Sequence, residues 1–413
     1  MSKSTKTLGL ITAPGYPNTI GEELQASLPN LLSYYVDDNY NWEVEFVIDA
    51  LTGMTEDSQE VINEMINRKV EEEWDFSVCL TDLPLFKHKR LIVAEANEEQ
   101  NVALISLPGL GSTPMIKRIR ESILQLLNEM YYGSSDASRE HAQLKLETKD
   151  QKRFKGLKNK SARRLVGKRI FERLSPIKRE RPDDDESTID VRFTVKSRIS
   201  IPLRVLTGMV RANRPWAMFP SFMKVVMIAF TTGSYALIFP TLWMLSSNYE
   251  IWRMLMLSFV SISAMVLWII LGHGLWEKPN EERSKYIRNL YNMATVLTLY
   301  VTVCMYYLLL FCLFSIAVVV IIPMELLESQ LSGNASYINY FYVAWTVTSM
   351  ATIIGALGSA LENEDVVLSS TYGYRQRQRY NQIKEAEEEK ERAQKEKEEA
   401  AKEKKEAAQE KKD

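Results

Sequence analysis

Between Val225 and Leu245 the chain reads VVMIAFTTGSYALIFPTLWML, with no charged residue. Met254–Leu271, Ala294–Ile322 and Tyr337–Leu361 are equally free of Asp, Glu, Lys and Arg. A helix rises about 1.5 Å per residue, so about 20 apolar residues cross a hydrocarbon core of roughly 30 Å. Each run is near or above that length. Buried helices of a soluble core are the alternative, but four such runs in so short a stretch would need an unusually large shell. The runs predict an α-helical membrane protein with four transmembrane helices, at about 225–245, 254–271, 294–322 and 337–361. Outside them the patterns predict an N-terminal cytosolic α/β domain with a mixed sheet and a C-terminal charged helix. The domains expected are 1–135, a basic linker or helix at 136–189, a juxtamembrane interfacial segment at 190–221, the membrane domain at 222–361 and a charged tail at 362–413.

Bulk composition conceals this mosaic. The 413 residues are 46% hydrophobic and 25% charged, with a net charge of −2. Those averages describe an ordinary soluble protein and exclude disorder throughout. Three cysteines, Cys79, Cys304 and Cys312, exclude a disulfide scaffold. Locally, however, Lys145–Arg181 holds fifteen Lys/Arg against four Asp/Glu, a net +11.

Charge also predicts an orientation. Lys196, Arg198, Arg204, Arg211, Arg214 and Lys224 precede the first run, and Lys278, Arg283, Lys285 and Arg288 join the second to the third. Arg375, Arg377 and Arg379 follow the fourth. The two remaining connections carry one basic residue, Arg253. Both termini are therefore expected in the cytoplasm, and the absence of a long apolar segment at the start is read as the absence of a signal peptide. The expected location is the plasma membrane, multi-pass. The outer loops are too short for an external domain. Ionisable groups, which ion and proton pathways place in the membrane, are missing from the runs, which argues against a pump. Ala351, Gly355 and Ser359 recur at four-residue spacing and form a candidate helix-packing face.

The first 133 residues alternate strand and helix patterns. Leu8–Thr12, Trp42–Ile48 and Phe76–Leu80 read as strands, and Arg90–Ala94 with Val102–Leu107 as a hairpin. Ile20–Val36 has helical spacing, Thr55 is placed to cap a second helix, and Thr113-Pro114 opens a third that ends before Gly133. Asp49 and Asp82 are expected at strand ends, where α/β sites often sit. His88, His141 and His273 share no metal-ligand spacing, and Cys79 in its apolar strand reads as core. Pro108-Gly-Leu-Gly-Ser-Thr lacks the Lys of a phosphate-binding loop and reads as a capped turn. No catalytic, cofactor-binding or metal-binding residue is assigned, and no cofactor is expected.

Trp74-Asp-Phe-Ser-Val-Cys-Leu-Thr-Asp82-Leu-Pro-Leu, then Arg90-Leu-Ile-Val-Ala-Glu-Ala and Val102-Ala-Leu-Ile-Ser-Leu107, resemble the sheet of archaemetzincin-type zincin peptidases. The resemblance implies that Lys117–Met130 corresponds to the helix bearing the family's HExxH motif. Leu124-Gln-Leu-Leu-Asn128 stands where that motif would fall. Leu124 and Asn128 do not offer the imidazole pair, nor Gln125 the general base. The resemblance thus implies a zincin-like shell without metal over residues 7–133, and a generic α/β domain is the alternative.

Gln151–Leu174 interleaves Leu157, Leu165, Val166, Ile170 and Leu174 with Lys and Arg, which predicts a basic amphipathic helix. Arg163, Arg164, Lys168, Arg169 and Arg173 are its candidate anionic-lipid contacts. Nucleic acid is the less favoured partner, because only Phe154 and Phe171 could stack on bases. Leu203, Leu206 and Val210 predict a short in-plane helix before the first run. In the tail, Ala386, Ala393, Ala400 and Ala407 recur once per heptad, a seam too slim for a strong coiled coil without a partner. The expected function is a non-catalytic, cytosol-facing scaffold or regulatory subunit, with protein partners held by 1–135 and 375–413 and an anionic bilayer beneath. The alternatives are an oligomeric channel or transporter subunit, and a membrane-tethered enzyme using the N-terminal domain.

Overall fold

The computed structural model describes residues 3–53, 55–87, 90–112, 114–148, 157–182, 188–197, 200–279, 284–331 and 335–358, together with 374, 375, 378, 379, 381 and 392. The chain forms two compact units, residues 1–212 with 376–413, and residues 213–375.

The first unit begins with β1 (Thr5–Thr12), α1 (Tyr16–Gln25), α2 (Leu28–Tyr35) and β2 (Asn41–Ile48). The helix expected over 20–36 is broken between Gln25 and Leu28, where Pro29 in the first turn of α2 starts a new helix. α3 (Ser58–Glu71) is capped by Asp57, whose side chain accepts from the Gln59 amide at 2.8 Å. Thr55, the expected cap, instead accepts from the Asp57 amide at 3.1 Å. β3 (Phe76–Thr81), β4 (Leu85–Lys87), β5 (Arg90–Asn97) and β6 (Val102–Ser106) follow, then α4 (Leu107–Leu110) and α5 (Met115–Tyr132). Thr113 lies outside the described residues.

α6 (Asp136–Thr148), α7 (Ile170–Leu174), β7 (Lys178–Glu180), β8 (Val191–Val195) and α8 (Ser200–Asn213) complete the described elements of this unit. The sheet order is β2-β1-β3-β6-β5-β8-β7, with β4 paired to β5. β2, β1, β3 and β6 run parallel, while β5 is antiparallel to both β6 and β8. The mixed sheet is thus as the strand patterns imply, but it extends well past residue 135. β8 is fixed to β5 by the facing pair Glu95 and Arg192, whose side chains are hydrogen-bonded. α3 lays Val61, Ile62 and Met65 over Ile11, Cys79 and Leu104. Leu8, Leu10, Val78 and Leu80 alternate to the opposite face and are fully buried. Burying each such side chain contributes about 1.5–3 kcal/mol.

In α8, Val205, Met209 and Ala212 are buried and Leu203 is 53% exposed. Arg204 is also buried, its guanidinium donating to the Leu110 carbonyl at 3.1 Å and to Ser175 Oγ at 3.0 Å. Of the face expected from Leu203, Leu206 and Val210, Leu206 is buried, Val210 is half-buried and only Leu203 is exposed, and the hydrogen bonds of Arg204 draw a neighbouring side of the helix inward as well.

The second unit contains α9 (Pro215–Met218), α10 (Met223–Ala236), α11 (Pro240–Ser247), α12 (Ile251–Gly272), α13 (Lys285–Ile321), α14 (Met324–Gln330) and α15 (Tyr337–Gly358). Among the described residues, α12 and α13 are each long and apolar enough to cross a membrane. α13 has 37 residues, about 55 Å at the helical rise, which is longer than a hydrocarbon core of roughly 30 Å is thick. The run expected to form one span at 225–245 is two helices. Pro240 has no amide hydrogen to continue α10, and Trp243 Nε1 donates to the Leu237 carbonyl at the break, at 3.0 Å. α15 packs against α10, α11, α12 and α13.

Candidate functional site

β1 and β3 are adjacent parallel strands, with β2 on the far side of β1. The chain leaves the carboxyl ends of β1 and β3 toward opposite edges of the sheet, which is the switch point where open α/β sheets hold ligands. Asp49 follows β2 and Asp82 follows β3, as their places in the sequence imply. Asp82 is fully buried. Its carboxylate accepts two hydrogen bonds from Arg379, Nη1 to Oδ1 at 2.9 Å and Nη2 to Oδ2 at 3.1 Å.

The same guanidinium donates to two carbonyls of the surrounding loops. Nη1 reaches Gly53 O at 2.8 Å and Nη2 reaches Pro14 O at 2.7 Å. Pro14 belongs to the breaker-rich turn after β1, and Gly53 ends the 3₁₀ turn Leu51–Gly53 after β2. Thr52 Oγ1 ties that turn to the Asp49 carbonyl at 2.7 Å. A side chain at residue 53 would place its Cβ 2.1 Å from Arg379 Nη1, so the close approach requires glycine there. Arg379 thus binds the loops after β1, β2 and β3 together. A planar, permanently charged fork suits this bidentate, partly carbonyl-lined site, which a point-charge lysine would not fill.

Cys79 lies in β3 and faces α3, and burial pushes its thiol up, away from nucleophilic use at neutral pH.

A second set of buried charges surrounds α5. Glu121 accepts from the Lys158 amide at 2.6 Å, the Gly167 amide at 2.8 Å, and both terminal nitrogens of Arg169 at 2.9 Å. Glu129 accepts from Arg179 Nε at 2.9 Å and Nη2 at 2.8 Å, with Arg139 3.4 Å away. Arg118 is hydrogen-bonded to Glu172, and the Phe171 ring lies about 5 Å from both Arg118 and Arg204.

These contacts change the reading of the basic stretch. Residues 157–169 form an irregular strap, not a helix, because Glu121 takes up backbone amides that a helix would pair internally. Ala162, Leu165 and Val166 are buried under it. Of the five candidate lipid contacts, Arg169 is an internal ion pair, and Arg163 lies near Asp136 and Glu140. Arg164, Lys168 and Arg173 are exposed.

Leu124, Gln125 and Asn128 of α5 also have internal roles. Gln125 donates to the Ala162 carbonyl at 2.5 Å and to Glu129 at 3.0 Å, and Asn128 accepts from Arg139 at 2.8 Å. His88 lies outside the described residues. Among those described, no group of three or more His, Cys, Asp or Glu is arranged to hold a metal.

In the second unit, Ala351 and Gly355 are buried inside the helix bundle. A Cβ on Gly355 would stand 2.2 Å from Tyr306 Oη and 3.3 Å from Ala229 Cβ, so α15 is held tightly between α10 and α13 at this level. Ser359, the third member of that stripe, lies outside the described residues, as do tail residues 382–391 and 393–413.

No family model, no curated protein and no solved structure matches this chain.

Proposed function

We propose that this is a four-span integral membrane protein of the plasma membrane with both flanks in the cytoplasm. It acts as a non-catalytic scaffold or regulatory subunit that holds an α/β module and a charged arm at the inner face of the bilayer. The observation that carries the reading is the burial of Arg379 on Asp82. Arg379 follows the apolar unit in sequence, while Asp82 precedes it. A chain whose residues before and after a membrane unit belong to one folded unit crosses an even number of times. With α12 and α13 as two full crossings, α10–α11 and α15 supply the other two. Basic residues cluster on the connections this topology leaves inside.

The same contact supports a non-catalytic role. The switch point, where an α/β domain would receive a small ligand, holds a side chain of the protein itself. The channel alternative has less support. Thr298, Thr302, Thr348 and Thr352 donate to carbonyls four residues earlier in their own helices, and Tyr307 bonds Ser349 at 2.8 Å and Ser258 at 3.0 Å. The threonine hydroxyls are thus spent on their own helices and Tyr307 ties α13 to α12 and α15, which leaves fewer polar groups to line a pore.

Affinity capture from mild-detergent extracts tests the scaffold role. The full chain is expected to retain partners that a chain lacking residues 382–413, or one carrying Arg379→Gln, loses. An identical partner set from all three overturns it.

A further inference from the structure

The strap and α7 enclose a hollow of about 320 Å³ that the Asp82–Arg379 contact does not use. Its size is at the lower end of ligand pockets, roughly 300–1,000 Å³. Arg164, Lys168, Arg169 and Arg173 line it, with Glu172 as the carboxylate in the lining and Pro176 among its apolar residues. Two of these charges are engaged elsewhere, Arg169 by Glu121 and Glu172 by Arg118, which fixes the walls. Arg164, Lys168 and Arg173 are exposed and have no ion-pair partner among the described residues. Three cations therefore converge on a preformed concavity.

Beside them stand two large apolar side chains. Ile170 is 78% exposed and Leu174 is 69% exposed, four residues apart on α7, which buries none of its residues. Exposed aliphatics flanked by Arg and Lys form the composition of a surface that enters the headgroup and acyl boundary. We propose that the hollow takes the phosphodiester headgroup of an anionic bilayer, with Ile170 and Leu174 seated among the first acyl carbons. This rests on the membrane-anchored reading above and sharpens it: a built headgroup site replaces the diffuse basic helix expected from the sequence. Each basic residue near an anionic surface favours association about fivefold, so removing all three charges weakens docking on the order of 100-fold.

The test uses the full chain with Cys304→Ser and Cys312→Ser, so that an environment-sensitive fluorophore on Leu174→Cys reports alone; Cys79 is buried. The protein is reconstituted in vesicles of phosphatidylglycerol with phosphatidylcholine, and in phosphatidylcholine only. Expected are blue-shifted emission and quenching by a headgroup-level nitroxide lipid in the anionic vesicles. Both are expected to fall to the phosphatidylcholine level when Arg164, Lys168 and Arg173 are all changed to Gln. Equal quenching in neutral vesicles, or unchanged quenching in the triple variant, overturns the proposal. So does loss of the signal on adding millimolar inorganic phosphate at constant ionic strength, since the site would then prefer the free anion. Alkaline extraction of the same vesicles separates the two readings. Protein that is stripped off contradicts the membrane-anchored reading, whereas protein that stays without anion-dependent quenching contradicts the headgroup site only.

Discussion

Arg379 and Asp82 are 297 residues apart in sequence and form a two-pronged, buried ion pair at the carboxyl edge of the parallel strands. Removing one partner of such a pair leaves an uncompensated buried charge, at a cost of about 3–5 kcal/mol. Asp82→Asn and Arg379→Gln are each expected to destabilise the sheet unit by that order. The double variant should cost less than their sum by about 2–3 kcal/mol, within the range for directly bonded groups. Thermal unfolding of the four proteins in detergent gives the coupling. Additivity within about 0.5 kcal/mol would contradict the contact.

Glu121 organises the strap. Glu121→Gln keeps the shape but withdraws the charge that holds Arg169 and the two backbone amides of Lys158 and Gly167. The expected result is faster tryptic cleavage after Arg163, Arg164 and Lys168, with far-ultraviolet circular dichroism nearly unchanged. Unaltered cleavage would show that the strap is held by Leu165 and Val166 and not by Glu121.

Tyr306 and Gly355 meet inside the bundle. Tyr306 Oη is buried without a hydrogen-bond partner among the described residues. Tyr306→Phe removes an unsatisfied polar group and should be neutral or stabilising by up to about 1–3 kcal/mol. Gly355→Ala should destabilise by about 1–3 kcal/mol through overpacking, and less so in the Tyr306→Phe background. Melting temperatures in detergent report the difference. Equal penalties in both backgrounds would mean that the hydroxyl is not what the new methyl meets.

Asp37 gives the acid dependence a specific source. Burial favours its neutral form, but hydrogen bonds from Tyr131 Oη at 2.6 Å and from Asn39 outweigh it and hold the carboxyl below its usual value of about 3.9. A depressed folded-state value contributes stability above the unfolded value, which is lost as pH falls through the folded one. Asp37→Asn should therefore be less stable than the parent at pH 6, with the gap closing as pH falls below about 4. Denaturant titrations across that range measure it, and a gap independent of pH would assign the loss to packing.

The parts of the fold that the sequence made legible are those with local signals. Leu8–Thr12, Trp42–Ile48, Phe76–Leu80 and the Arg90–Leu107 hairpin all lie within strands or their immediate ends, because apolar runs between turn residues are local patterns. Asp49 and Asp82 were legible as strand-end carboxylates for the same reason. The role of Arg379 was not, since a partner 297 residues away leaves no local trace and a basic residue after an apolar run reads as an orientation signal. The strap departs from the expected helix because Leu157, Leu165, Val166, Ile170 and Leu174 suggest an amphipathic pattern while the backbone amides of Lys158 and Gly167 go to Glu121 on another element. Pro240 was visible in the first apolar run, yet an apolar count is insensitive to the break it makes between α10 and α11.

The proposed topology puts both flanks of the apolar unit in one compartment. Single cysteines at Glu99, before that unit, and Arg392, after it, can be placed in the Cys304→Ser, Cys312→Ser chain. A membrane-impermeant maleimide is then applied to intact spheroplasts and to inside-out vesicles, with Glu328→Cys in α14 as the marker for the opposite side. Glu99→Cys and Arg392→Cys are expected to react only in inside-out vesicles, and Glu328→Cys only in spheroplasts. Labelling of Glu99→Cys and Arg392→Cys from opposite sides would contradict that topology.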